Sequence, residues 1–213
     1  APTSTAQIAV QSSLAQDRDV VPGDTYQETI EIENTTDDPV EARLQLRDYH
    51  FDYHGTNEFS APGTLKRSNA SWIDLPQSTI TIPPKQTERV QYQVTVPENI
   101  GGSAPAGTYW SIVLIEPIVP GSARSTLSSS QDDPQFGVRQ KTRYGVQIAT
   151  HIRTSSAPEI EVLETNLTRQ KGATQLVVDV KNEGTEMAHP KMKLDVYNES
   201  GQVSLRKSVS PMR

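Results

Sequence analysis

From Ser71 to Pro117 the chain repeats one pattern, an alternating run closed by proline or glycine. It reads Ser71-Trp72-Ile73-Asp74-Leu75-Pro76, then Ser78-Thr79-Ile80-Thr81-Ile82-Pro83-Pro84, then Arg89-Val90-Gln91-Tyr92-Gln93-Val94-Thr95-Val96-Pro97, then Gly107-Thr108-Tyr109-Trp110-Ser111-Ile112-Val113-Leu114-Ile115. A period of two puts successive side chains on opposite faces of an extended strand. Proline and glycine between the runs supply the turns. This stretch predicts the core half of an all-β sandwich. Its Ile73, Ile80, Ile82, Val90, Tyr92, Val94 and Val96 are the leading core candidates.

Composition supports that fold and narrows the chemistry. Of 213 residues 34% are hydrophobic and 22% charged. Ser, Thr, Gln, Asn and Pro fill the difference, as suits strands with one wet face and turns between them. The net charge of −6 offers nothing to nucleic acid. No apolar run approaches the roughly 20 residues of a membrane span; Ile112 to Val119 is broken by Glu116 and Pro117. With no cysteine, disulfides, thiolate nucleophiles and Cys-based zinc sites are excluded together. The start Ala1-Pro2-Thr3 reads as a mature terminus after removal of a signal peptide. The expected location is therefore extracytoplasmic, periplasmic or cell-surface. Sequons at Asn34, Asn69, Asn166 and Asn198 carry little weight in a chain this rich in Asn, Ser and Thr.

Ahead of the organising stretch, Gln7 to Leu14 predicts a first strand. Val21-Pro22-Gly23-Asp24 predicts a tight turn. Thr25 to Asn34 sets Tyr26, Glu28, Ile30 and Ile32 against a fully polar second face, and Val40, Ala42, Leu44 and Leu46 return inward. After it, Pro120 to Pro134 reads as a long exposed loop, and strand character resumes from Gly137 to Arg153. Ser155-Ser156-Ala157-Pro158 has linker composition. Four further strands follow at Glu159–Thr168, Thr174–Asn182, Lys191–Asn198 and Gln202–Ser208.

A short internal similarity favours tandem units. Ile30-Glu31-Ile32-Glu33-Asn34 leads through a turn and Pro39 to Leu44 and Leu46. Val178-Asp179-Val180-Lys181-Asn182 leads through a turn and Pro190 to Met192, Leu194 and Val196. The fold class predicted is all-β, two tandem immunoglobulin-like β-sandwiches, at 1–154 and 155–213. The second has room for about four strands where such a sandwich takes about seven. It is expected to be incomplete, either cut short or completed by another chain.

Reactive constellations are weak. In Asp48-Tyr49-His50-Phe51-Asp52-Tyr53-His54, alternate positions place Asp48, His50, Asp52 and His54 on one strand face. Such ligands lie ~7 Å apart on a straight strand, too far for more than two to share a metal ion. A polar outer face over an aromatic inner one is the plainer expectation. No Gly-x-Ser-x-Gly elbow, Ser-x-x-Lys pair or phosphate-cradling Gly-rich loop occurs. His151 and His189 read as surface or edge residues. Trp72 and Trp110 read as core, with a carbohydrate platform as the functional alternative. No catalytic residue, metal or cofactor is predicted, and an enzyme is not expected.

Taken in order, Ala70-Ser71-Trp72-Ile73, Ile80-Thr81-Ile82-Pro83-Pro84, Val90-Gln91-Tyr92-Gln93-Val94-Thr95-Val96-Pro97 and Pro105-Ala106-Gly107-Thr108-Tyr109 resemble the N-terminal immunoglobulin-like domain of the periplasmic pilus-chaperone superfamily. They resemble equally the related domain of WxL-interacting bacterial surface proteins. The resemblance implies that the last strand, about Tyr144 to Ile152, pairs with a partner strand, with Val146, Ile148, Thr150 and Ile152 directed to the partner or the core. The strand departs from the family pattern at Ala149-Thr150-His151, and no basic pair is assignable by position. The functional expectation is a non-enzymatic protein-binding module of the bacterial cell envelope that docks a surface protein or pilus subunit. The alternatives are a periplasmic pilus-assembly chaperone acting by donor-strand complementation and a carbohydrate-binding accessory module.

Overall fold

The computed structural model describes residues 7–52, 56–118, 124, 126–127, 142–153 and 158–209. The chain is all-β with immunoglobulin-like architecture, and its strands run β1 Ile8–Val10, β2 Ala15–Val20, β3 Thr25–Asn34, β4 Val40–Phe51, β5 Asn57–Ser60, β6 Ile73–Asp74, β7 Thr79–Ile82, β8 Thr87–Thr95, β9 Gly107–Ile118, β10 Tyr144–Ile152, β11 Ile160–Gln170, β12 Ala173–Asn182, β13 Met192–Tyr197 and β14 Val203–Val209. It divides into two compact units, Ala1–Ile152 and Arg153–Arg213.

In unit 1 one sheet has the order β1-β3-β8-β6, and the other β2-β10-β9-β4-β5 with β7 also on β4. Their inner faces share one apolar core. Ile30, Ile32, Val90, Tyr92 and Val94 come from the first sheet and Val40, Ala42, Leu44, Val113, Ile115, Val146 and Ile148 from the second. Each Ile, Leu or Val among them stabilises the fold by about 1.5–3 kcal/mol on burial. All seven leading core candidates of the organising stretch are buried.

The turn at Val21–Asp24 forms as its residues dictate. Asp24 Oδ2 accepts the Val21 N–H at 2.9 Å, and Gly23 takes φ +90°, which an L side chain would resist. At the far end of β3 the Asn34 side chain is fully buried. Its Nδ2 donates to Asp38 O at 2.8 Å, Ile82 O at 3.0 Å and Pro83 O at 3.1 Å, and its Oδ1 accepts the Thr36 N–H at 2.8 Å. One amide thus ties the β3–β4 turn to the end of β7. Asn69 is fully buried too, so neither of these sequon amides reaches solvent in the folded unit.

Two expectations need correction. The first strand is not Gln7–Leu14. The chain pairs as β1 with β3, crosses at Gln11–Leu14 with Leu14 49% exposed, and pairs as β2, in parallel, with β10. The run from Asp48 also departs from a polar outer face over an aromatic inner one, although His50 is exposed as expected. Asp48 faces inward and is fully buried, while Phe51 on the opposite parity is 47% exposed. The carboxylate accepts the N–H of Gly63 at 3.0 Å and of Leu65 at 2.6 Å and the Ser68 hydroxyl, holding the irregular 61–68 segment to β4. Burial alone would raise the Asp48 pKa, but these hydrogen bonds outweigh it and hold the acid below its ordinary value.

Unit 2 holds two antiparallel pairs, β11 with β12 and β13 with β14. No described residue in it is buried.

Candidate partner-binding edge

β10 has two different surroundings along its length. Antiparallel β9 lines one side throughout, from Tyr144 opposite Ile115 to Ile152 opposite Gly107. On the other side β2 runs in parallel, but only from Gln147 opposite Ala15 to Ile152 opposite Val20. The Gln147 N–H donates to Leu14 O at 2.8 Å, the last bond of that ladder. Among the described residues, Tyr144, Gly145 and Val146 have no strand on that side. A sheet edge of this kind offers backbone N–H and C=O groups to an added strand. A Cβ at Gly145 would lie 2.6 Å from Ile112 Cδ1, so a larger residue here requires the Ile112 side chain to shift.

The side chains named from the sequence are placed differently from the expectation of partner contact. Val146, Ile148 and Ile152 are buried at 0–2% exposure and fill the core. Thr150 is also fully buried, and its Oγ1 lies 3.0 Å from Tyr26 Oη and accepts from Asn69 Nδ2 at 2.9 Å. That polar stitch joins β10 to β3 and to the turn before β6. From Gln147 to Ile152, then, β10 is an interior strand, because β2 has taken the edge. Of the stretch that β2 does not reach, Tyr144 and Gly145 are partly exposed and Val146 is fully buried. Nothing local in Tyr144–Ile152 signals this division, since β2 lies more than a hundred residues away in sequence.

β2 itself is a guarded edge. It presents Asp17, Arg18 and Asp19, and Arg18 reaches Glu28 on β3 at 3.2 Å. Charges along an edge discourage further strand pairing. His151 sits at the β2–β10 boundary, with Nδ1 3.0 Å from Thr108 Oγ1.

The remaining candidates do not converge. His50 is exposed, Asp52 Oδ1 accepts the Thr56 N–H at 2.9 Å, Asp48 is engaged inside, and His54 lies outside the described residues. Among the described residues no group of three or more His, Asp and Glu is placed to hold a metal ion. No helix among them is long and apolar enough to cross a membrane. Trp110 is tied by its indole N–H to Tyr49 O at 2.7 Å. Trp72 packs against the Tyr109 ring at 4.6 Å, beside a hollow of about 590 Å³ that Leu65, Pro97 and Ile100 help to line. Most of the Pro120–Pro134 loop lies outside the described residues.

Sequence comparison is silent: no family model matches the chain, and no curated protein matches it. Among solved structures, a chain of the chaperone–tip adhesin complex of CFA/I fimbriae biogenesis is similar at TM-score 0.51 and 10% identity, over 98% of this chain and 83% of that one. The fold resembles that of the pilus chaperones. The class 5 fimbriae chaperone CfaA gives TM-score 0.49 and 10% identity, over 96% of this chain and 79% of that one. A chain of the CsuC–CsuE chaperone–tip adhesion subunit pre-assembly complex of Acinetobacter baumannii gives 0.47 and 12%, over 96% and 83%. At such identities the likeness is one of fold.

Proposed function

We propose that the chain is a non-enzymatic, extracytoplasmic protein-binding module of the pilus-chaperone type, which takes a strand of a pilus subunit against unit 1. The observation that carries this is the backbone edge at Tyr144–Val146, beside which no strand lies among the described residues, next to a stretch of the same strand that β2 already covers. An incoming strand would extend the β10-β9-β4 sheet along that edge. Its affinity would come from main-chain hydrogen bonds, with alternate side chains setting specificity. Of the residues named from the sequence, Val146 lies where β2 no longer covers β10, and it is itself fully buried. Ile148, Thr150 and Ile152 support it by anchoring β10 in the core. The fold likeness to a chain of a chaperone–adhesin complex supports a protein partner of this class. The periplasm, where such chaperones work, is the corresponding location.

The reading can be tested with a photo-crosslinking residue placed at Tyr144 and, as a control, at Lys85, whose chain position is remote from β10 in both sheets. Expected is a covalent adduct with a pilus-type subunit from the Tyr144 position alone when the protein is produced in an envelope that assembles pili. A folded Tyr144 variant that gives no adduct with such a subunit, or equal adducts from both positions, would refute it.

A further inference from the structure

Loops at one end of unit 1 close around the hollow of about 590 Å³ beside Trp72, a size that small-molecule sites take. Its walls come from the 63–72 and 95–100 segments and from Tyr109 near the start of β9. All of them belong to unit 1. Tyr109 lies opposite Thr150, at the other end of β10 from Tyr144. The hollow and the Tyr144–Val146 edge are therefore separate features.

The floor is aromatic and held in place. The Trp72 and Tyr109 ring planes meet at 45° with centroids 4.6 Å apart. The Trp72 N–H donates to Asn69 O at 2.9 Å, and the Asn69 side chain is bonded in turn to Thr150 on β10. The Arg67 guanidinium sits 5.1 Å from the centroid of the Tyr109 ring, and its Nη1 donates to Ala106 O at 2.6 Å. Rings fixed in this way need little ordering when a ligand arrives.

The rim mixes three kinds of group. Leu65 and Ile100 are apolar and 36% and 42% exposed. Ser71 and Asn99 bring a neutral hydroxyl and amide, and Lys66 an exposed ammonium. Lys66 has no ion pair among the described residues, and no Asp or Glu among them lines the hollow. A cation finds no carboxylate here, and a purely apolar chain makes no use of the polar rim. A ligand with an apolar face, hydroxyls around its edge and a negative charge matches every group present.

We infer that this hollow is a binding site for an acidic saccharide. The C–H face of a sugar ring stacks on Trp72. Ser71 and Asn99 bond its hydroxyls, and the Lys66 ammonium pairs with its carboxylate. Loops on a rigid scaffold commonly carry sites of this kind. The site does not depend on strand capture at Tyr144–Val146.

The test uses the whole chain and two trisaccharides of one linkage, one of galacturonic acid and one of galactose, titrated at low salt by calorimetry. The acidic trimer is expected to bind, and the neutral one about threefold more weakly, the scale of an exposed ion pair. Lys66→Gln is expected to bring the two trimers level without moving the urea midpoint. Trp72→Phe is expected to weaken both about fivefold, the scale of an aromatic contact. Binding of neither trimer to the parent, or equal binding of both, would overturn the inference. So would binding of the acidic trimer that Lys66→Gln leaves unchanged.

Discussion

Units 1 and 2 contain the same strand–asparagine–turn–proline–strand segment and differ in what covers it. Around Asn34 the segment is sealed by β7 and β8, and the amide reaches four backbone groups with no exposure to water. Around Asn182 the same turn closes, but the side chain is exposed and no described residue of the unit is buried. Local sequence is enough to close the turn. Its energetic weight comes from the strands packed over it, because a polar group contributes most where losing its partner leaves buried atoms unsatisfied.

This contrast is open to attack by substitution. Both tryptophans, Trp72 and Trp110, lie in unit 1, so indole fluorescence during urea unfolding reads that unit alone. The largest effect is expected for Ile148→Asp, which places an unpaired carboxylate in the core and costs more than about 4 kcal/mol. Leu167→Asp in unit 2 should leave the fluorescence midpoint where it is and raise solubility. If the two variants behave alike, the contrast in burial is wrong.

Next comes Asn34→Ala, at about 3 kcal/mol, since the Asp38, Ile82 and Pro83 carbonyls lose their shared donor. Asn182→Ala should not shift the unit 1 transition, and circular dichroism should report little change in strand content. A large loss for Asn182→Ala would mean that its turn is sealed after all.

Asp48→Asn sharpens the comparison through pH, at about 1–3 kcal/mol. A folded acid held below its ordinary value contributes stability that is fully present above the unfolded value of about 3.9, and loses it as pH falls through the folded value. The urea midpoint of the parent should therefore fall steeply in acid, and that of Asp48→Asn less so. Parallel acid limbs would remove Asp48 from the account. Smallest is Arg206→Ala, which breaks the exposed pair with Asp195 at 2.7 Å on β13–β14 and should leave the thermal transition unmoved.

Where a face could be read from alternation, the chain folds as its residues suggest. Val90, Tyr92 and Val94 on β8, and Ile30 and Ile32 on β3, sit between polar neighbours, so only one parity can go inward. The Asp48–His54 run offers no such asymmetry. Its polar set and its aromatic set each make a coherent face. Asp48 alone among the described residues of the polar set is buried, drawn in by donors at 63–68 that only the fold brings to it, while His50 stays exposed. The likeness between the Ile30–Leu46 and Val178–Val196 segments was legible too, and the hydrogen bonds of Asn34 and Asn182 give it a physical basis.

The candidate site was legible as a strand and not as an edge. By itself the sequence determined the strands, their wet and dry faces, the Val21–Asp24 turn and the absence of thiol chemistry, because each follows from residues a few positions apart. Only the tertiary structure decided that β2 covers Gln147–Ile152 and stops short of Tyr144–Val146. It likewise decided that Thr150 bonds inward to Tyr26 and Asn69. Whether a strand is an edge depends on which distant segment lies beside it, and no periodicity within the strand carries that information.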